Sequence, residues 1–187
     1  MAGSLIKIDE FTVSSSVTSV ILGGGSSGSS GLNTSIDSTY DVYKLVISNL
    51  LPSADDAPFM RVTKSGSADT TSNYDDAKKY LKADSAFSNI ANVNWDKVDI
   101  MATLDDGAGK GSNGEYYLFN FANASEYSFV TIESTHFQST ALTVRGFAGG
   151  FVHTVASASD GVFISFNNHA SGSTIETGTF TLYGLKK

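Results

Sequence analysis

The run from Tyr40 to Leu50, Tyr-Asp-Val-Tyr-Lys-Leu-Val-Ile-Ser-Asn-Leu, constrains this chain most. In an extended strand successive side chains point to opposite faces. Tyr43, Leu45 and Ile47 therefore share one face, and Val42 and Val46 share the other. With both faces partly apolar, the run reads as a central strand covered above and below. Pro52 then closes the segment, because proline has no N–H to give to a ladder.

The same pattern extends along the chain. Tyr117, Phe119 and Phe121 alternate with Tyr116, Leu118 and Asn120, and Phe129, Thr131 and Glu133 alternate with Ser128, Val130 and Ile132. The polar stretch Ala122 to Glu126 between them has the length of a hairpin loop, so residues 115–121 and 127–133 read as a hairpin. Further strands are predicted over 5–11, 16–22, 59–64, 98–103, 142–147, 152–156, 162–167 and 177–185. Many short strands separated by Gly- and Ser-rich turns predict an all-β fold, a jelly-roll-like antiparallel β-sandwich. The 187 residues suit one such domain with a substantial core of its own.

Two segments break the pattern. Between Ser72 and Leu81, the residues Tyr74, Ala77, Tyr80 and Leu81 fall at helical spacing behind a capping Ser72 or Asn73. One short helix near residues 73–81 is the expectation, with a bulged strand as the alternative. The second segment, Gly23 to Gly31, has a flexible-linker composition. It divides the chain into two N-terminal strands in residues 1–22, a Gly/Ser-rich linker or loop at 23–35, and the sandwich at 36–187. Residues 1–22 read either as an arm exchanged with a neighbouring subunit or as the start of the sandwich joined through a long loop.

Composition narrows the function. The formal charge is −7, and Lys78, Lys79 and Lys82 are flanked by Asp75, Asp76 and Asp84. No basic face is expected, and so no nucleic-acid partner. There is no cysteine, which removes disulfides and thiolate metal sites. No stretch is long and apolar enough to suggest a membrane helix, and the N-terminal residues lack a signal-peptide pattern. The sequons at Asn33 and Asn123 are read as chance.

Motifs that could carry chemistry are weak. Gly107-Ala108-Gly109-Lys110-Gly111-Ser112 departs from a phosphate-binding loop, with Leu104 at the first Gly position and Gly111 where the metal-binding hydroxyl belongs. Asp105-Asp106-Gly107, with Asn113 and Glu115 nearby, lacks the ligand order of a calcium loop. The acid pairs Asp55-Asp56 and Asp105-Asp106 sit in loops. His136, His153 and His169 show no metal-ligand spacing. Trp95, beside Tyr74 and Tyr80, is the one candidate for a sugar-stacking platform, with filling the edge of the core as the favoured alternative. No catalytic, cofactor-binding or metal-binding residue is assigned.

Several segments together resemble small virion structural proteins of tailed phages, of the kind found in cyanophages and other marine phages. They are Ser38 to Leu50, Met60-Arg61-Val62-Thr63, Ser72-Asn73-Tyr74-Asp75, Tyr116 to Phe121, Val152-His153-Thr154-Val155 and the closing Gly178 to Leu185. The resemblance covers most of residues 36–187 and implies a non-enzymatic particle protein assembled in the host cytoplasm. Within that group the expected role is a capsid decoration, or cement, protein. Its partners would be the major capsid protein and copies of itself in a homo-oligomer. A tail-fibre or receptor-binding sandwich that recognises host glycan is the alternative. A small carbohydrate-degrading sandwich would need positioned carboxylates.

Overall fold

The computed structural model describes residues 4–23, 31–32, 35–167 and 172–186. In chain order the strands are β1 (Ser4–Thr12), β2 (Ser19–Gly23), β3 (Gly31–Leu32), β4 (Val42–Pro52), β5 (Pro58–Lys64), β6 (Ser67–Ala68) and β7 (Tyr74–Lys82). They continue with β8 (Ser88–Trp95), β9 (Val98–Asp99), β10 (Ser112–Phe119), β11 (Ser128–Gln138), β12 (Thr143–His153), β13 (Gly161–Phe166) and β14 (Ile175–Lys186). No helix occurs among the described residues.

Two sheets result, in a sandwich-like arrangement that fits the jelly-roll-like expectation. The larger has eight strands in the order β1-β14-β4-β10-β11-β12-β7-β8. The smaller runs β3-β2-β13-β5-β6, with β9 also paired to β5. Every pairing is antiparallel except β2 with β3. The run that opened the sequence reading becomes β4, flanked by β14 and β10, a central strand as predicted.

Alternation builds the core. From the large sheet Leu45, Ile47, Tyr116, Leu118, Val130, Ile132, Phe180 and Leu182 point inward. From the small sheet Val20, Leu22, Met60, Val62, Val162 and Ile164 meet them in one cluster. Each such side chain contributes roughly 1.5–3 kcal/mol by leaving water. Asn49 interrupts β4 with φ of 54°, and there the pairing with β10 shifts register. Its N–H donates to Asn113 Oδ1 at 3.0 Å. Gly111 lies so close that a Cβ would sit 2.0 Å from Asn49 Oδ1, so only glycine fits beside the bulge.

Several local expectations differ from the structure, and the strand expected over 98–103 is confined to Val98–Asp99. Residues 73–81 form strand β7, bulged against β8 between Tyr74 and Asp76, and not a helix. The helical spacing is coincidental: Tyr74, Asp76 and Lys78 are all buried, at a period of two. Residues 142–147 and 152–156 belong largely to one strand, β12, which runs through Gly149 and Gly150. A Cβ at Gly149 would lie 2.4 Å from Ala77 O, and one at Gly150 would lie 2.5 Å from Val130 O. The two glycines therefore permit close approach of neighbouring backbones instead of marking a turn. Finally, β8 was not anticipated, because Ser-Asn-Ile-Ala-Asn-Val-Asn-Trp carries only a faint apolar alternation.

Both N-terminal strands pair within their own chain, β1 on β14 and β2 on β13. Most of the Gly/Ser tract lies outside the described residues. The two strands are unequal in burial. β1 is a largely exposed edge, whereas Val20 and Leu22 on β2 are fully buried. Deleting residues 1–12 should therefore leave a cooperative β-rich fold, and deleting 1–23 should abolish it. Urea denaturation followed by circular dichroism distinguishes the two, and equal stability of both truncations would contradict this account.

The charges inside β7 give a second prediction. Lys78 Nζ donates to Asp76 Oδ2 at 2.7 Å, and both side chains are 1% exposed. Asn92 Nδ2 donates to Asp76 Oδ1 at 2.7 Å, and Lys78 also donates to Asp99 O at 2.8 Å. Removing one partner leaves the other charge buried alone, so Lys78→Met should cost about 3–5 kcal/mol. The double variant Asp76→Asn/Lys78→Met should recover much of that loss in the same denaturation assay.

Candidate interaction face

The most distinctive surface is the outer face of the eight-stranded sheet. Registers place Leu5 opposite Leu185, Phe119 opposite both Val42 and Phe129, and Phe129 opposite Val152. Gly184 pairs with Tyr43, which brings Leu185 beside Val42 at the next step. An apolar row thus crosses six strands from β1 to β12. Phe129 is 45% exposed within it. Tyr117 stacks on Phe119 at 6.4 Å with the planes 28° apart, and Lys44 Nζ lies 5.1 Å from the Tyr117 ring centre. Lys44 also pairs with Glu115 at 2.7 Å, so its charge is matched on this face.

Next to the row the sheet sinks. Gly150 pairs with Ala77 and Ala77 with Ala91, so three small residues lie side by side across β12, β7 and β8. They floor an open depression of about 540 Å³ bordered by Phe129, Val152, Val93 and Asp75. Beyond a row of Glu133, Ala148, Lys79 and Asn89, polar at all but Ala148, a second hollow lies among Leu81, Gly146, Val144 and Phe87. Exposed apolar surface gathered on one face is characteristic of a protein-binding surface.

The residues singled out from sequence fall elsewhere. Asp105 and Asp106 meet Asp55, with one carboxylate oxygen of each within 4.8 Å of the others. Their hydrogen bonds brace two loops. Lys110 Nζ donates to Asp105 Oδ2 at 2.8 Å, Gly107 N–H to Asp105 Oδ1 at 2.7 Å, and Asp106 N–H to Asp55 Oδ1 at 3.0 Å. The Lys110 ammonium, with the Gly107 amide, holds the Asp105 carboxyl below its usual range. Lys110 is thus committed to a carboxylate, and the glycines around it form a turn. Asn113 and Glu115, weighed with this cluster, instead bind Asn49 and Lys44. Asp56 is buried, accepting the Ala57 N–H at 2.7 Å.

Trp95, Tyr74 and Tyr80 do not make a platform. Trp95 ends β8 at 47% exposure, opposite a Tyr74 that is fully buried. The Tyr74 hydroxyl donates to Asp69 O at 2.8 Å and accepts from Val62 N–H at 3.2 Å. Tyr80 packs edge-on against Phe147. Asn123 lies in the β10–β11 loop, where its Oδ1 accepts the Ser125 N–H at 2.9 Å. Asn33 and His169 lie outside the described residues.

His136 and His153 are both buried in the large sheet. His136 Nε2 accepts the Ala102 N–H at 3.2 Å, which places the ring proton on Nδ1. Burial, helped by the nearby Arg145 charge, pushes its pKa down to about 4. Burial also lowers His153, against the opposing pull of Asp69 at 3.3 Å. Comparison with protein-family models, curated proteins and solved structures returned no match.

The histidines set a pH dependence. Below an unfolded-chain value of 6.5 the unfolded state takes up a proton that folded His136 refuses until about pH 4. Stability should therefore fall as pH drops through this window, by about 3 kcal/mol from His136 alone. The aspartates lowered in the fold, Asp69 among them, weaken it further only near and below their ordinary value of 3.8. Urea midpoints measured from pH 7 to 4.5 check this. A His136 that titrates near 6.5 by NMR in the folded protein would contradict it.

Proposed function

We propose that this chain is a non-enzymatic virion structural protein of a tailed phage, a decoration protein that binds the outside of the head lattice. The observation that carries the reading is the outer face of the large sheet. There an apolar row and its adjoining depression lie side by side on one sheet face, open to another protein. The sequence resemblance to tailed-phage virion proteins supplies the identity of the partner, the major capsid protein. The acid cluster and buried histidines serve the fold in ways already accounted for, which also fits a binding role. A protein that binds only the assembled shell stabilises it by mass action, and many copies multiply the effect.

The glycan-binding alternative loses its main support because Tyr74 is buried and Tyr80 packs against Phe147, which leaves Trp95 as the one exposed ring of the three.

Quantitative mass spectrometry of purified particles tests the proposal. A copy number comparable with that of the shell protein is expected. Phe129→Ser should lower occupancy on the particle at least about tenfold while leaving the urea midpoint nearly unchanged, since the side chain is half exposed. A few copies per particle would move the protein to the tail, and absence from particles would overturn the reading.

A further inference from the structure

The two edges of the large sheet are built differently. β1 carries Lys7, Asp9 and Glu10, and a bulge between Lys7 and Asp9 breaks its line. These are the usual defences of an exposed edge against pairing with another chain. β8 has eight residues, none charged and none proline, and among the described residues no strand covers its outer side. Its only irregularity is near Asn94, with φ of 58°, at the end toward Trp95. Val93 is 68% exposed, and Phe87, just before the strand, is also exposed.

We propose that β8 is a self-association edge, pairing antiparallel with β8 of a second copy about a twofold axis. Charge favours this occupant. The chain is acidic overall, so two copies repel unless they meet at a neutral strip. β8 is such a strip, and three of the acids around it are matched within their own chain, while Asp75 accepts the Asn94 N–H at 2.8 Å. Asp76 is paired with Lys78, Asp84 with Arg145 and Asp96 with Arg61. A strand paired with itself about a twofold satisfies both free ladders at once.

Side-chain chemistry selects the register. The strand pairs place Asn89 and Ala91 on the outer face and Ile90 and Asn92 on the inner. A twofold at Ile90 sets Phe87 opposite Val93 of the copy, Asn89 opposite Ala91, and Ile90 opposite itself. It gives two aromatic–β-branched pairs, a favoured cross-strand combination. Phe87, Val93 and Trp95 together expose roughly 300 Å² per copy, the upper bound on what their pairing can bury. Together with the paired backbone, the interface approaches the ~1,000 Å² that a specific contact needs. This inference does not rest on the particle reading, because purified protein alone tests it.

Sedimentation velocity of the full chain should show a dimer at micromolar concentration. Ala91→Lys puts a charge into the strip and should weaken the dimer at least about tenfold. Leu142→Lys, at an exposed site on another loop, should leave it intact. The chain has no cysteine of its own, so disulfide trapping has a clean background. Ile90→Cys should cross-link to itself. Asn89→Cys and Ala91→Cys should cross-link when mixed and not when alone. A monomer throughout the micromolar range, or a dimer indifferent to Ala91→Lys and untrapped at these positions, would overturn the proposal.

Discussion

The sheet depends most on a charged pair with almost no access to water. Asp76 and Lys78 point inward from β7, where apolar residues would ordinarily lie. Two buried charges are tolerated because every strong demand is met by a different neighbour. Asn92 on β8 serves the carboxylate, the Asp99 carbonyl on β9 serves the ammonium, and the Phe147 ring on β12 lies 5.0 Å from Lys78 Nζ. The pair therefore joins β7 to both sheet neighbours and to the opposite sheet. It also fixes which residues face out. With Asp76 and Lys78 held inward, Asp75, Ala77 and Lys79 must line the outer face. A slip of one residue would bury Ala77 and Lys79 and fill the depression with the charged pair.

This explains which parts of the fold were legible in the sequence. β4, β10, β14 and the first half of β11 are readable because their inward residues are largely apolar, so alternation and burial coincide, whereas the second half of β11 turns Ser134 and His136 inward. β7 is not readable, because two of its inward residues, Asp76 and Lys78, are charged. Tyr74, Ala77, Tyr80 and Leu81 stand out instead, at a spacing that suits a helix, although Tyr74 and Tyr80 share the strand's inner face with the charged pair. β12 was divided because Gly149 and Gly150 break strands locally. Their reason for being there is the proximity of Ala77 O and Val130 O, backbone atoms from strands distant in sequence. The surface was still less legible. The apolar row joins Leu5 to Leu185 and Val42 to Phe119, contacts that exist only after the sheet has formed. The acid cluster was half visible. Asp105 and Asp106 are adjacent, whereas Asp55 reaches them across two loops.

The two faces of the large sheet then divide the work. The inner face is spent on the core, and its two histidines are kept neutral by burial. The outer face is free of that duty, and Leu5, Leu185 and Phe129 stand exposed on it. A purely solvated face would favour charged residues on alternate positions, as Glu115, Glu133 and Lys79 provide. Phe119, Phe129 and Val152 have no such explanation within the chain.

The proposed edge and the proposed docking face also reinforce each other geometrically. A twofold that pairs β8 with its copy stands perpendicular to the sheet. It therefore keeps both outer faces on the same side of one continuous surface. A dimer so formed presents two apolar rows to a single lattice. Once one is seated, the other binds at high effective concentration, and avidity can exceed the affinity of either face by about 10²–10⁴. Weak individual contacts then suffice. That matches a face which is apolar but shallow, with half-exposed Phe129 beside an open depression.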